Sequence, residues 1–297
     1  MRIQKLSGGL ANQMFQYAFM RYGQLADPTS DWYLDDSEYF IRNVYNGYEL
    51  EEVFGVKPKL LSQAFDADVW EQMITLRNLG LSIPQVLKDF DTDIVVYCES
   101  KEDIKDFAFN GKVYNMGPAG GFYPDIVKLD FPNVYYEGSW VDKNWFNSNR
   151  QLLLKEFSFP EEASSQVRLH REHITGGKSV GMHVRRGDFV YRGMALEPDY
   201  YKNALIELNK KYDDYTVFVF SDDLYWCNQH SGELGLNFAP KVEYISGNFK
   251  AGSFHDLELL AMCDILIMAN SAFSYMAGIM NEKLELFMDP VNRKWMI

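Results

Sequence analysis

The stretch Gly181–Val190, GMHVRRGDFV, places His183, Arg185, Arg186 and Asp188 close together. A guanidinium presents a fixed fork of N–H donors that matches phosphate oxygens. Two adjacent forks suit a diphosphate. They also suit an ordinary salt-bridged surface pair. Asp188 is either a general base for a hydroxyl nucleophile or a residue that fixes the turn after Gly187. His183, flanked by apolar residues, is either a packed strand residue or an acid–base group. Two more polar clusters stand downstream, Ser221-Asp222-Asp223 and Asn270-Ser271-Ala272-Phe273-Ser274. The aspartates can accept from sugar hydroxyls or base N–H groups, or can simply cap a helix. A helix starting near Ser271 would offer unpaired N–H groups and a positive dipole end to an anion.

Each cluster follows an apolar run that reads as a strand: SVGMHVRR, YTVFVFSDD and DILIMAN. Strand alternation puts Val180, Met182 and Val184 on one face and Gly181, His183 and Arg185 on the other. Helical patterns separate the strands: DYYKNALIELNKKY, HDLELLAMC and SAFSYMAGIM. Apolar strands alternating with helices predict a parallel sheet covered on both faces. Ligands of such sheets bind beyond the carboxyl ends of the strands, so the three clusters should meet at one edge. The chain opens on a similar unit. MRIQK reads as a strand, Gly8-Gly9 as a tight turn, and residues 11–25 as a helix stopped by Asp27-Pro28. Between residues 30 and 160 only short helices and the strand DIVVYCES stand out, beside an aromatic and turn-rich stretch, GFYPDIVKLDFPNVYYEGSWVDKNWF. Gly176-Gly177 is the expected boundary, which gives an N-terminal α/β domain over 1–174 and a C-terminal Rossmann-like domain over 175–297.

The 297 residues are 47% hydrophobic and 24% charged, which is globular composition. The 29 basic residues against 42 acidic give a net charge of -13. That argues against nucleic acid as a partner, which wants a basic face. Cys98, Cys227 and Cys263 are odd in number and lack a C-x-x-C pair, so neither a disulfide framework nor a zinc site is expected. The N-terminus has no apolar signal core, and no run is long enough to span a bilayer. A soluble, cytoplasmic protein is expected, at most peripheral to the inner face of the membrane. Cell adhesion is therefore not the expected meaning of the RGD tripeptide.

GGLANQMFQYA, HVRRGDF, VFSDD and NSAFS, in that order, resemble the signatures of the α-1,2-fucosyltransferases of glycosyltransferase family 11. They reach from residue 8 to about residue 280, nearly the whole chain. The resemblance implies an α/β, GT-B-like fold of two Rossmann-like domains facing a cleft. It implies inverting transfer of L-fucose from GDP-β-L-fucose to the 2-hydroxyl of a galactose, with no metal or other cofactor. The partners would be GDP-fucose and a galactose-containing glycan, free or lipid-linked. By resemblance Arg185 grips the β-phosphate, with Arg186 in support. Ser271 and Ser274 contact phosphate, with Asn270 and Phe273 beside them. His183 and Asp222, with Asp223, lie near guanine or ribose. Asn12 faces the reaction centre from the other domain. Tyr136 and Trp140 are acceptor-side candidates by location, as are Trp145 and Tyr39.

The chain departs from the usual pattern at Ala11, Ala272, Tyr275 and Met276, and over Gly138-Ser139-Trp140-Val141-Asp142. The last departure falls on the expected acceptor side. Two other readings stay open. One is transfer from another nucleotide sugar, with Asp222-Asp223 as a metal-binding pair. The other is a non-catalytic carbohydrate-binding protein.

Overall fold

The computed structural model describes residues 1–42, 45–90, 92–99, 113–115 (backbone only), 120–248 and 250–297. Ser100, at the end of the expected strand DIVVYCES, lies outside them. The chain divides into two compact units, Met1–Ser158 and Phe159–Ile297.

Among the described residues the first unit has a five-stranded, all-parallel sheet. Its strands are β1 (Arg2–Lys5), β2 (Trp32–Asp35), β3 (Val95–Cys98), β4 (Val113–Asn115) and β5 (Val134–Glu137), in the order β2-β1-β5-β3-β4. β5 pairs with both β1 and β3. It lies inside the aromatic, turn-rich stretch where no strand stood out. VYYE is a short run among turn residues, and only its sheet partners make it a strand.

The helix Leu10–Ala26 follows β1 and buries Met14, Phe15, Ala18 and Phe19 as its spacing predicts. Leu25 is exposed instead. Gly23 is required in this helix because a Cβ there would sit 2.2 Å from the Trp32 ring. Around Phe19 an aromatic core forms. Trp140 stacks on Phe19 at 4.0 Å, and Trp32 on Tyr136 at 5.5 Å.

The second unit holds β6 (Ser179–Val184), β7 (Thr216–Ser221), β8 (Lys241–Tyr244), β9 (Ile265–Ile267), β10 (Leu286–Asp289) and β11 (Lys294–Met296). Their order is β11-β10-β9-β6-β7-β8, parallel except for β11. β6 therefore lies between β9 and β7. Val180, Met182 and Val184 pack with Val217, Val219, Ile265 and Ile267 in one buried cluster.

The division between units falls before the helix Ser165–Thr175, not after it at Gly176-Gly177 as the sequence suggests. Three side chains tie that helix to the second unit. His170 and His173 each meet Glu243 through Nδ1 at 2.8 Å, and Arg171 pairs with Glu258 at 2.6 Å. The glycines end a helix that already belongs to the second unit.

Candidate active site

The strand order puts the ends of β9, β6 and β7 side by side, and the three polar clusters emerge there. Arg185 leaves β6 between two carboxylates. Its Nη2 donates to Asp188 Oδ1 at 2.7 Å, and its Nη1 lies 3.0 Å from Asp222 Oδ2. The two contacts engage the two Nη atoms, one carboxylate each. Nε has no hydrogen-bond partner among the described residues.

Arg186 is held differently. Its guanidinium lies over the Trp226 ring at 3.5 Å, and Trp226 stacks on His230 at 4.2 Å. Its Nε donates to Asp223 Oδ2 at 3.2 Å, and its backbone N–H to Asp222 Oδ1 at 2.9 Å. One fork is thus partly free, and the other is built into the loop.

Asp188 opens a short helix, Gly187–Tyr191, and faces two cations. Oδ1 meets Arg185, and Oδ2 lies 3.6 Å from Arg192 Nε. Both oxygens of Asp188 are turned to guanidiniums, an arrangement able to position Arg185. Gly187 is needed for this approach, since a Cβ there would lie 2.5 Å from Asp222 Oδ2.

Two adjacent forks suit a diphosphate or a salt-bridged pair, as the sequence has it. In the structure Arg185, Arg186 and Arg192 are each paired with one or more of Asp188, Asp222 and Asp223. The three arginines and three aspartates balance in charge and fix the cations in place.

His183 is fully enclosed on β6, and burial, then the Arg185 charge, depress its pKa to about 3. The imidazole is therefore neutral at physiological pH. Its ring packs on Phe273 at 5.1 Å, which ties β6 to the start of the helix Ala272–Met280. Asn270 Nδ2 donates to the Met194 carbonyl at 2.8 Å, which ties the same helix start to the loop after Gly187–Tyr191. Ser271 caps that helix by accepting from the Phe273 N–H at 3.3 Å.

Ser274 corrects the expectation of phosphate contact. It is buried, and its Oγ donates to the Ala269 carbonyl at 2.9 Å. Its hydroxyl braces the turn beneath the helix start. Tyr136 and Trp140 are corrections too, being fully buried in the first unit's aromatic core. Trp140 Nε1 donates to Gln4 Oε1 at 2.7 Å, and Tyr136 Oη to the Ile126 carbonyl at 2.9 Å. Neither offers a face to a sugar. Trp145 is equally buried. Tyr39 spends its hydroxyl on the Gly8 carbonyl at 2.9 Å.

Asn12 stands in the first turn of the helix Leu10–Ala26, against the glycine turn after β1. Gly8 has φ +77, and its Cα lies so close to the Asn12 amide that a Cβ would meet Nδ2 at 2.6 Å. Two buried glutamines hold this turn. Gln13 Nε2 donates to the Gly47 carbonyl at 2.8 Å, while its Oε1 accepts from the Glu49 N–H at 2.9 Å. Gln16 Oε1 accepts from the Ser7 N–H at 3.0 Å, and its Nε2 donates to Ser7 Oγ at 3.0 Å. Sequence reasoning passed over both. Polar residues on the core side of an amphipathic helix were the available signal.

Asp256 was also missed. It lies in the first turn of the helix Phe254–Ala261, accepts from Asn248 Nδ2 at 2.7 Å, and burial lifts its pKa to about 7. Its signal was a carboxylate at the head of a leucine-rich helix, HDLELLAMC. Among the described residues no group of three or more His, Cys, Asp or Glu is placed to hold a metal ion.

The model of glycosyl transferase family 11 matches residues 123–292. The chain belongs to that family. This family 11 member is 25% identical over 279 residues to an alpha-1,2-colitosyltransferase of Escherichia coli, a match covering 92% of this chain and 85% of the relative. It is 28% identical over 159 residues to galactoside alpha-(1,2)-fucosyltransferase 2 of Mus musculus, covering 48% of this chain and 44% of that one. Among solved structures, NodZ alpha-1,6-fucosyltransferase soaked with GDP-fucose aligns with a TM-score of 0.56 at 15% identity, over 97% of this chain and 94% of that one. At that identity the likeness concerns the fold, which is GT-B-like, with an all-parallel sheet in the first unit and a sheet parallel but for β11 in the second.

Proposed function

We propose that the chain transfers L-fucose from GDP-β-L-fucose to the 2-hydroxyl of a galactose in a glycan acceptor. The single observation that carries this reading is the partly free Arg185 fork, held by Asp188 and Asp222 at the end of β6 in a family 11 chain. The second unit would bind the donor and the first the acceptor.

In this reading the acceptor hydroxyl oxygen attacks C1 from the face opposite GDP as the bond from C1 to the β-phosphate oxygen breaks, its proton passes to a carboxylate or water beside it, and configuration inverts. Negative charge grows on the β-phosphate as the bond to C1 breaks. Arg185 meets it with donors already oriented, which is where a preorganised site gains most. The N–H groups at the start of the helix Ala272–Met280 add a positive dipole end. Arg186, flat on Trp226, keeps the loop shaped around Asp222. Neutral His183 packs beneath Phe273 and adds no charge near the diphosphate. No metal is required in this scheme, because the guanidinium does the work of a cation.

Incubation with GDP-fucose and a panel of β-galactosides, with linkage analysis of products, tests the reading. The expected product carries fucose α-1,2-linked to galactose. Turnover unchanged by chelator is expected as well. The colitosyltransferase relative supports a second donor. Colitose is fucose without its 3-hydroxyl, so a diphosphate site of this kind would hold either GDP-sugar. Turnover with GDP-colitose and none with GDP-fucose would move the donor assignment to that sugar.

A further inference from the structure

Trp226, in the helix Leu224–Gln229 that follows β7, has both faces of its indole occupied. The Arg186 guanidinium carbon lies 3.5 Å from the ring centroid, and the His230 ring stacks at 4.2 Å with an interplanar angle of 16°. Two flat groups that close to one ring cannot share a face, so they sandwich it. His230 Nδ1 donates to the Trp226 carbonyl at 2.9 Å, which holds the outer layer of the stack. A tryptophan just beyond the carboxyl end of a parallel strand could otherwise serve as a platform for a nucleobase or a sugar. With both faces filled, this ring has no flat surface left for a ligand. What it does instead is hold a cation, a contact worth about 2–30-fold in an equilibrium.

One carboxylate closes the arrangement. Asp223 Oδ1 accepts from the Trp226 backbone N–H at 3.0 Å, and Oδ2 accepts from Arg186 Nε at 3.2 Å. Asp223 is itself placed by Ser221, whose Oγ accepts from the Asp223 N–H at 3.0 Å and donates to the Val184 carbonyl at 2.7 Å. The Arg186 backbone carries the arrangement to the site. Its N–H donates to Asp222 Oδ1 at 2.9 Å, and Asp222 Oδ2 lies 3.0 Å from Arg185 Nη1. Trp226 thus reaches Arg185 through direct contacts, by way of Arg186 and Asp222.

We propose that Trp226 is a positioning residue: it keeps Arg186 on its ring and off the diphosphate, and through Arg186 it sets the Asp222 carboxylate that orients Arg185. The proposal rests on the transferase reading above for the role of Arg185. It departs from the family resemblance, by which Arg186 supports the diphosphate. The two adjacent arginines divide the work. One meets the ligand, and the other shapes the loop that aims it.

The test uses the full chain, with GDP as the probe for binding and GDP-fucose with a β-galactoside for transfer. Trp226→Phe keeps an aromatic face, and Trp226→Leu removes it. In Trp226→Leu, kcat should fall about tenfold while GDP affinity, measured by calorimetry, changes less than about threefold. Trp226→Phe should keep kcat within about threefold of wild type. In an Arg186→Met background, Trp226→Leu should cost nothing further. Equal losses in the phenylalanine and leucine variants would reduce Trp226 to packing and overturn the proposal. So would additive losses in the double variant.

A second measurement leaves Trp226 in place. In the ¹⁵N-labelled wild-type chain, Arg185→Lys and Arg186→Lys identify the two Nε–H resonances. Saturating GDP should move the Arg185 signal and leave that of Arg186 where it is. An Arg186 signal that moves as far as that of Arg185 would overturn the proposal. Absence of transfer to any galactoside would count against the acceptor reading alone, because GDP binding and the arginine signals answer separately.

Discussion

Arg185 Nη2 donates to Asp188 Oδ1 at 2.7 Å, across three residues and one turn of chain. The same carboxylate reaches Arg192 with its other oxygen. As an orienting group for the cation, Asp188 would act through Arg185, and its removal tests this.

Asp188→Asn should lower kcat/KM by about 10–100-fold, the usual effect of misplacing a catalytic group by a fraction of an ångström. The acidic limb of the kcat–pH profile should persist, because a positioning residue does not set it. Loss of that limb in Asp188→Asn, with the donor and acceptor saturating, would make Asp188 the base instead.

His183 sets a pH dependence of stability. Its folded pKa, about 3, lies below the unfolded value of 6.5. The unfolded chain thus binds the proton more readily. This group's contribution is complete above pH 6.5 and is lost as pH falls toward 3. In His183→Gln that loss is absent. Denaturant melts at pH 8 and pH 4.5 should show wild type losing about 2 kcal/mol more than the variant on acidification. An equal loss in both would show that His183 is not held neutral.

Asp256 has the opposite sign. Its folded pKa, about 7, lies above the ordinary 3.8. Its stabilising contribution is present below pH 3.8 and is lost as pH rises toward 7. Asp256→Asn keeps an oxygen for Asn248 and removes the charge. It should raise stability at pH 8 by about 2–4 kcal/mol relative to wild type and by little at pH 4. Thermal melts at the two pH values measure this. A gain of the same size at both would remove the titration as its cause.

The sequence carried the second unit's design well because its strands are continuous apolar runs. The polar residues directly after each run, Arg185, Asp222 and Ser271 among them, are expected at adjacent strand ends, and the structure puts them there. The boundary at Gly176-Gly177 was misplaced because a helix's membership depends on partners such as Glu243, which are distant in sequence. Tyr136 and Trp140 looked like sugar platforms because an aromatic's exposure is decided by its neighbours. β5 lies between two strands, and Phe19 covers both rings. The charge balance around Arg185 was hidden for the same reason. Asp188 is local, but Asp222 arrives from the next strand.

The central claim is that the Arg185 fork meets charge growing on a leaving diphosphate. The direct measurement is kcat/KM for transfer from GDP-fucose to a β-galactoside in Arg185→Lys and Arg185→Ala. The alanine variant should lose about 10²–10³ or more. The lysine variant should also be poor, because an ammonium keeps the charge and loses the fork that Asp188 and Asp222 orient. A lysine variant of near-native activity would contradict the account.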